Sequence, residues 1–203
     1  MRKGENRVDM NGLLRGKTKL WRYLAVLTVF SLLNLPACAK GWGGDDPDPG
    51  VADIRQEFLA AVNQARSVNR KCGNTRYVPA PPVSWSGNLA MAAYLHSGDM
   101  VLKNFLSHTG ADGSSAGQRI SRQGYPWRTH GENIAAGNPT VSSVIQGWLS
   151  SERHCRNLMN PAFTEIGAGY AIGPFGGNPA ALFWTLDLAG RFPPNRLVDP
   201  PRP

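Results

Sequence analysis

The chain has 203 residues, which allows one domain with terminal extensions, and its 22 Lys and Arg against 14 Asp and Glu give a formal net charge of +8. Much of the excess lies in residues 1–22, which hold seven basic and two acidic residues. No basic helix with interleaved aromatic residues follows. The composition therefore argues against nucleic-acid binding, and we expect no nucleic-acid partner.

An apolar run, Tyr23–Ala37, follows the basic segment. It has about the length of a signal-peptide core and is shorter than the roughly 20 residues of a membrane-spanning helix. It ends in the sequence LPAC, which resembles a lipobox, with Leu three residues before Cys38 and a small residue directly before it. Residues 1–38 are thus predicted to be a leader, with Cys38 as the lipidation site and Met1 or Met10 as the start. The alternatives are an ordinary cleavage site or an uncleaved anchor that happens to contain a cysteine.

The leader predicts export. We expect a lipoprotein anchored to a membrane of the cell envelope, or else a secreted or periplasmic protein. Residues 39–50 are rich in Gly, Asp and Pro and are predicted to be a flexible linker, and the Pro-rich segment 192–203 is predicted to be a surface tail. One compact domain, expected to be a monomer, remains at residues 51–191.

Two of the three cysteines lie within this domain. With Cys38 at the processing site, Cys72 and Cys155 form an even pair in an oxidising compartment, which predicts a disulfide. Two buried free thiols are the alternative.

Apolar stripes and capping residues predict five helices. They lie at 52–69, from Ser86 through Met100, at 115–123, from Thr140 to 150, and at 152–159. His96 falls on the apolar stripe of the second helix and is interpreted as a core histidine.

Two alternating segments, 165–172 and 181–189, predict strands joined as a hairpin. Since no β-α-β alternation is visible, the fold class is predicted to be α+β, with helices packed on a mainly antiparallel sheet.

His108 and Glu132 lie in segments flanked by Gly and Ser, which we interpret as loops. Polar side chains on such loops can converge on a cleft. The imidazole of His108 can bind a proton, a carboxylate or a metal ion, and Glu132 could orient that ring or complete a cation site.

Four segments occur in a specific order: FLSHTGADGS (105–114), GENIAAG (131–137), WLSSERHCRNLMN (148–160) and LFWTL (182–186). In order and spacing the chain resembles the bacterial branch of the CAP superfamily, the cysteine-rich secretory, antigen 5 and pathogenesis-related group, over about residues 54–190. The resemblance implies a three-layer α-β-α sandwich with a cleft on one face.

In this family two histidines and two acidic residues line the cleft. The resemblance places His108 and Glu132 at the first His and first Glu, and Glu152 is the nearest candidate for the second acid. Phe183 stands where the second family His is expected, so His154 is the candidate for the second imidazole.

The resemblance favours a non-enzymatic module that binds a small molecule, lipid or glycan in this cleft, without a required cofactor. A zinc or other divalent ion held by His108 and His154 is a further hypothesis. The alternative function is a hydrolase acting on peptide or cell-wall material through the same cleft. The only evident nucleophile is Ser107, and adjacent residues seldom form a nucleophile–base pair, so no catalytic residue is assigned.

Overall fold

The structure is a computed structural model that describes residues 49–192, with side chains from Ile54 onward. The predicted leader at 1–38 with its lipidation site Cys38, nearly all of the predicted linker, and the tail beyond Phe192 lie outside the described residues. No helix within 49–192 is long and apolar enough to cross a membrane.

Five helices and six strands make up the described chain. The helices are α1 (Pro49–Arg66), α2 (Gly87–Lys103), α3 (Ala116–Arg122), α4 (Val141–Ser150) and α5 (Glu152–Met159). The strands are β1 (Arg70–Cys72), β2 (Thr75–Tyr77), β3 (Ser84–Trp85), β4 (Trp127–Ala136), β5 (Glu165–Phe175) and β6 (Asn178–Arg191).

The main sheet has the strand order β3-β5-β6-β4. The β5–β6 hairpin is antiparallel, β4 pairs antiparallel with β6, and only the short β3 runs parallel to β5. Strands β1 and β2 form a separate hairpin. The predicted α+β class, with a mainly antiparallel sheet, is confirmed.

Helices cover both faces of the sheet, as the resemblance implied. On one face, Trp184, Leu186 and Leu188 of β6 pack in a core with α1, α4 and α5. On the other face, Gly167 and Gly169 of β5 lie directly under α2, where a Cβ on either glycine would meet the helix backbone. The sheet is therefore the middle layer between two helical layers.

Helix starts follow the local sequence signals. Ser86 caps α2, and Ser115 and Thr140 each form a capping box at α3 and α4. These side-chain oxygens accept hydrogen bonds from backbone N–H groups that would otherwise lack a partner. Local chemistry fixes these boundaries, so the sequence predicts them well.

The expectation that the segment 131–137 around Glu132 forms a loop is wrong, because all of it except Gly137 lies in β4. Its glycines suggested a loop, yet Gly131 allows the ring of Phe163 to approach the strand closely. The three short strands β1, β2 and β3 were not predicted either. Each has only two or three residues, too few for an alternating pattern to show.

Cys72 and Cys155 form the predicted disulfide, which joins the end of β1 to α5 across 83 positions of sequence. A second link to α5 comes from Arg66, a fully buried residue at the end of α1. Its guanidinium donates hydrogen bonds to the carbonyl oxygens of Pro81, Leu158, Asn160 and Phe163. The bond and the arginine together fasten α5 to the N-terminal part of the domain.

Candidate functional site

Glu132 lies in the middle of β4, with only 3% of its side chain exposed. Its two carboxylate oxygens have different partners. Oε1 accepts a hydrogen bond from Nδ1 of His108 at 2.7 Å, and Oε2 accepts one from Nη2 of Arg119 at 2.6 Å. The strand thus supplies a rigid, nearly buried carboxylate that holds a histidine on one side and an arginine on the other.

His108 lies between α2 and α3, and its side chain is 45% exposed. An ionised carboxylate can only accept hydrogen bonds, so the bond to Glu132 requires that Nδ1 carries the proton. In the neutral ring, Nε2 is then the nitrogen with a free lone pair. Glu132 therefore fixes both the orientation and the tautomer of a ring that is open to solvent.

Two opposing effects act on the pKa of Glu132. Burial alone would raise it, but the hydrogen bond from His108 and the positive charge of Arg119 together outweigh burial and hold the pKa below its usual value. Glu132 is consequently ionised at neutral pH. The predicted contact between His108 and Glu132 is thus a hydrogen bond between a histidine and a charged carboxylate.

Arg119 is a component of the site that the sequence did not reveal. It is nearly buried on α3, and besides Glu132 it donates to the carbonyl oxygens of Ser114 and His108. Its guanidinium therefore ties the loop that bears His108 to the carboxylate that orients the His108 ring. One signal was available, because Arg119 continues the buried stripe of Ala116 and Ile120 on α3.

His96 is buried on α2, as expected from its place on the apolar stripe. Its Nε2 is 2.9 Å from the carbonyl oxygen of Ser107, to which it donates, and 3.9 Å from Oε2 of Glu132. Burial lowers the pKa of His96, although the nearby charge of Glu132 opposes this shift. The neutral ring thus supports the loop that leads to His108.

Ser107 is not arranged as a nucleophile for His108. Its hydroxyl oxygen accepts a hydrogen bond from the backbone N–H of Thr109 at 3.1 Å, and its carbonyl receives the bond from His96. Both groups shape the turn, and neither is bonded to the His108 ring. The geometry gives the hydrolase hypothesis no activated serine at this position.

His154 lies on α5, and its backbone carbonyl accepts a hydrogen bond from the side chain of Asn133, the residue after Glu132. Burial lowers the pKa of the His154 ring, and the positive charge of His108 lowers it further. The His154 ring is therefore close enough to His108 to sense its charge. His154 borders the site but makes no hydrogen bond to Glu132 among the described contacts.

Glu152 points elsewhere. Its exposed carboxylate packs against Gly73 in the β1–β2 turn, and its Oε1 is 3.7 Å from a guanidinium nitrogen of Arg156. Neither contact involves His108 or Glu132. The structure thus brings together His108, Glu132 and Arg119, places His154 at the border, and directs Glu152 toward the β1–β2 hairpin.

Comparison with known proteins supports this architecture. Residues 59–188 match the model of the CAP family, described as the cysteine-rich secretory protein family. The chain belongs to the CAP family.

The CAP domain has relatives in Bacillus subtilis. It is 33% identical to the uncharacterized protein YkwD over 110 residues, which is 54% of this chain and 40% of that protein. It is 32% identical to the uncharacterized membrane protein YlbC over 87 residues, 43% of this chain and 25% of that protein. The chain therefore spans less than half the length of these curated relatives.

Solved structures with the same fold come from extracellular or surface proteins. An extracellular protein containing a SCP domain from Bacillus anthracis is 27% identical, with a TM-score of 0.56, covering 73% of this chain and 45% of that one. An outer surface protein of Borrelia burgdorferi shares the fold at 17% identity and a TM-score of 0.53, covering 72% of this chain and 96% of that one.

The CAP domain departs from the family pattern at Phe183, which is buried on β6. Its ring packs against Phe175 with centroids 5.5 Å apart, and it shares a core cluster with Met100 and Ile134. An apolar cluster therefore occupies the place where a second strand histidine was expected.

The donor set of this CAP domain fits a zinc ion poorly. Both oxygens of Glu132 are already bonded, and Nδ1 of His108 is used by Glu132, which leaves Nε2 of His108 and the His154 ring. No group of three or more His, Cys, Asp or Glu residues arranged to hold a metal occurs in the described part of the chain. Zinc sites in proteins generally use three or four protein ligands, so a metal bound to His108 and His154 stays a hypothesis.

Proposed function

We propose that this chain is an exported ligand-binding module of the cell envelope, whose ligand contacts the exposed edge of the His108 ring. The observation that carries the proposal is the hydrogen bond between His108 and the ionised, nearly buried Glu132. A ring held in one orientation and one tautomer loses little conformational freedom on binding, and such preorganisation increases affinity. Arg119 adds to the rigidity, because it fixes the carboxylate and the loop at once.

The chemistry of the ring suggests a class of ligand. With the proton on Nδ1, the free Nε2 of neutral His108 accepts a hydrogen bond. A ligand that donates a hydroxyl or amine hydrogen suits this position, as a glycan, a lipid headgroup or a small polar molecule would.

Binding is favoured over catalysis because, within residues 54–192, no hydrogen bond joins a nucleophile to the His108 ring. Ser107 is committed to its own turn, and both oxygens of Glu132 accept hydrogen bonds. One observation still supports the alternative of a hydrolase. A carboxylate that orients a histidine through Nδ1 is the arrangement in which Nε2 can remove a proton from water.

The test compares wild type with His108→Ala and with Gln146→Ala, an exposed change on the opposite helical layer. Each full-length protein is purified from the cell envelope, and released small molecules are identified by untargeted mass spectrometry. A compound enriched with wild type and Gln146→Ala should be reduced about tenfold with His108→Ala, the cost of one hydrogen bond. Equal enrichment in all three refutes the proposal, whereas a consumed ester, amide or glycoside supports the hydrolase.

Membrane attachment through Cys38 is part of the proposal and rests on the sequence LPAC after an apolar run. Labelling cells with a fatty-acid analogue should mark wild type but not Cys38→Ser. Equal labelling of both proteins would refute attachment at Cys38. With a lipid on Cys38, the linker would tether the domain at the membrane surface, where a ligand of the envelope is accessible.

A further inference from the structure

Asp187 is a fully buried acid on β6 that neither the family motifs nor the proposed function uses. It is the cross-strand partner of Glu132 on β4 and of Gly167 on β5. Residues paired in this way project from the same face of a sheet, and Gly167 faces the backbone of α2. The side chain of Asp187 therefore lies between the sheet and α2, next to Glu132.

Neither carboxyl oxygen of Asp187 has a hydrogen-bond partner among the described protein groups. The titratable and charged groups of the surrounding elements are Glu132 and His130 from β4, Arg119 from α3 and His96 from α2, while β5 contributes only Gly167. Arg119 is the one permanent cation in this set. It is already bonded to Glu132 and to two backbone carbonyls, but its Nε–H is buried without a partner, so an ionised Asp187 would draw the guanidinium toward itself.

The two facing acids cannot both ionise easily. Burial raises the pKa of Asp187 well above its usual value, and the negative charge of Glu132 raises it further, although Arg119 opposes the shift. The pKa of Glu132 is lowered instead, because His108 and Arg119 outweigh its burial. Asp187 is consequently the member of the pair that keeps its proton.

We propose that Asp187 is a positioning residue for the cleft. As a neutral acid it does not compete with Glu132 for Arg119. When it ionises, it competes for Arg119, and the His108 ring is held less firmly. The proton of Asp187 goes to solvent, and two carboxylates then face one guanidinium. Glu132 loses part of its contact with Arg119, and the bond that orients His108 weakens. A rise in pH through the raised pKa of Asp187 would thus reduce the order of the cleft.

The consequence for ligand affinity rests on the proposed function, but the protonation of Asp187 can be measured without a ligand. The full chain is labelled with ¹³C at the aspartate carboxyl carbons and titrated by NMR. One signal, missing in Asp187→Asn, should stay in the protonated position over the range in which exposed aspartates ionise, and should titrate at higher pH. Asp112→Asn, at an exposed residue paired with Arg122, should remove an ionised signal. An Asp187 signal that ionises with the others overturns the proposal.

The positioning role is tested on the ring itself, with ¹⁵N spectra that report the tautomer of His108. In wild type the proton should reside on Nδ1 at neutral pH and lose this preference as Asp187 ionises. In Asp187→Asn, which is neutral at every pH, the preference for Nδ1 should persist through that range.

The positioning role is overturned if the preference for Nδ1 of His108 is lost at the same pH in wild type and in Asp187→Asn, or if neither protein loses it. The wild-type titration of the labelled aspartates needs no variant, so it remains decisive even if Asp187→Asn does not fold. If both NMR results hold while His108→Ala retains its co-purified compound, the proposed function fails and the role of Asp187 stands.

Discussion

Replacing Gly167 with Ala would test how tightly α2 packs on the sheet. An added Cβ would lie 2.7 Å from the Cα of Ala90 and closer still to the Ala90 nitrogen. Ordinary contacts between such atoms are about 3.5–4.0 Å, so α2 and β5 would have to separate by about 1.5 Å to relieve the contact with the nitrogen. Backbone atoms cannot rotate away as a side chain can. We expect a loss of about 1–3 kcal/mol in the free energy of unfolding, typical of overpacking.

The matched control is Gly98→Ala, which lies in α2 where an added Cβ meets nothing within 4 Å. It should be neutral or raise stability by about 0.5–1 kcal/mol, because Ala favours a helix interior over Gly. Thermal unfolding followed by circular dichroism should show a fall of about 3–10 °C for Gly167→Ala. Equal melting temperatures for Gly167→Ala and wild type would refute the reasoning, as would a similar rise in both variants.

Three further predictions concern stability. Cys72→Ser should lower the free energy of unfolding by about 4–5 kcal/mol on the chain-entropy model, and reductant should lower the melting temperature of wild type alone. Arg66→Met leaves four carbonyl oxygens without their donor, each at a cost of roughly 1–3 kcal/mol. Urea denaturation should therefore show a free energy of unfolding lower by at least about 3 kcal/mol. Arg66→Lys should restore part of this loss. Because the pKa of Glu132 is lowered on folding, its stabilisation is present above the unfolded pKa of about 4.3 and is lost as the pH falls through the folded pKa. The gap in melting temperature between wild type and Glu132→Gln should thus narrow between pH 7 and pH 3; a constant gap would contradict this.

The elements that the sequence predicted are those fixed by local chemistry. Ser86, Ser115 and Thr140 begin helices because their side chains satisfy N–H groups a few residues away. The proximity of His108 and Glu132 was predicted by a different route, from motifs of the family rather than from periodicity. Strand β4 was missed because Gly131 and Gly137 indicate a loop in isolation, whereas in the fold Gly131 lies within the strand and allows close approach by Phe163.

Arg119 and Asp187 could not be assigned roles from the sequence. The position of Arg119 beside Ala116 and Ile120 on α3 indicates burial, in contrast to the exposed Arg122, but it does not indicate the bonds to Glu132 and His108. Asp187 interrupts an apolar strand, and that anomaly signals a buried acid without indicating its neighbour. Its partner Glu132 becomes known only from the register of β4 against β6, which depends on contacts 55 residues apart in the numbering.

The order of strands in the sheet has a consequence for how the chain acquires its structure. The two central strands, β5 and β6, are the last elements of the described chain. Ser84 of β3 cannot pair with Glu165 of β5 until β5 has been synthesised. Helices α1 and α2 are synthesised long before any sheet exists to cover their apolar faces, and contacts at such separation form slowly. If the chain is exported as proposed, the domain cannot complete its sheet before the C-terminal hairpin emerges, so the chain stays unfolded enough to pass through a membrane pore. Cys72 and Cys155 both precede this hairpin in the chain, so both are already on the oxidising side when the hairpin arrives.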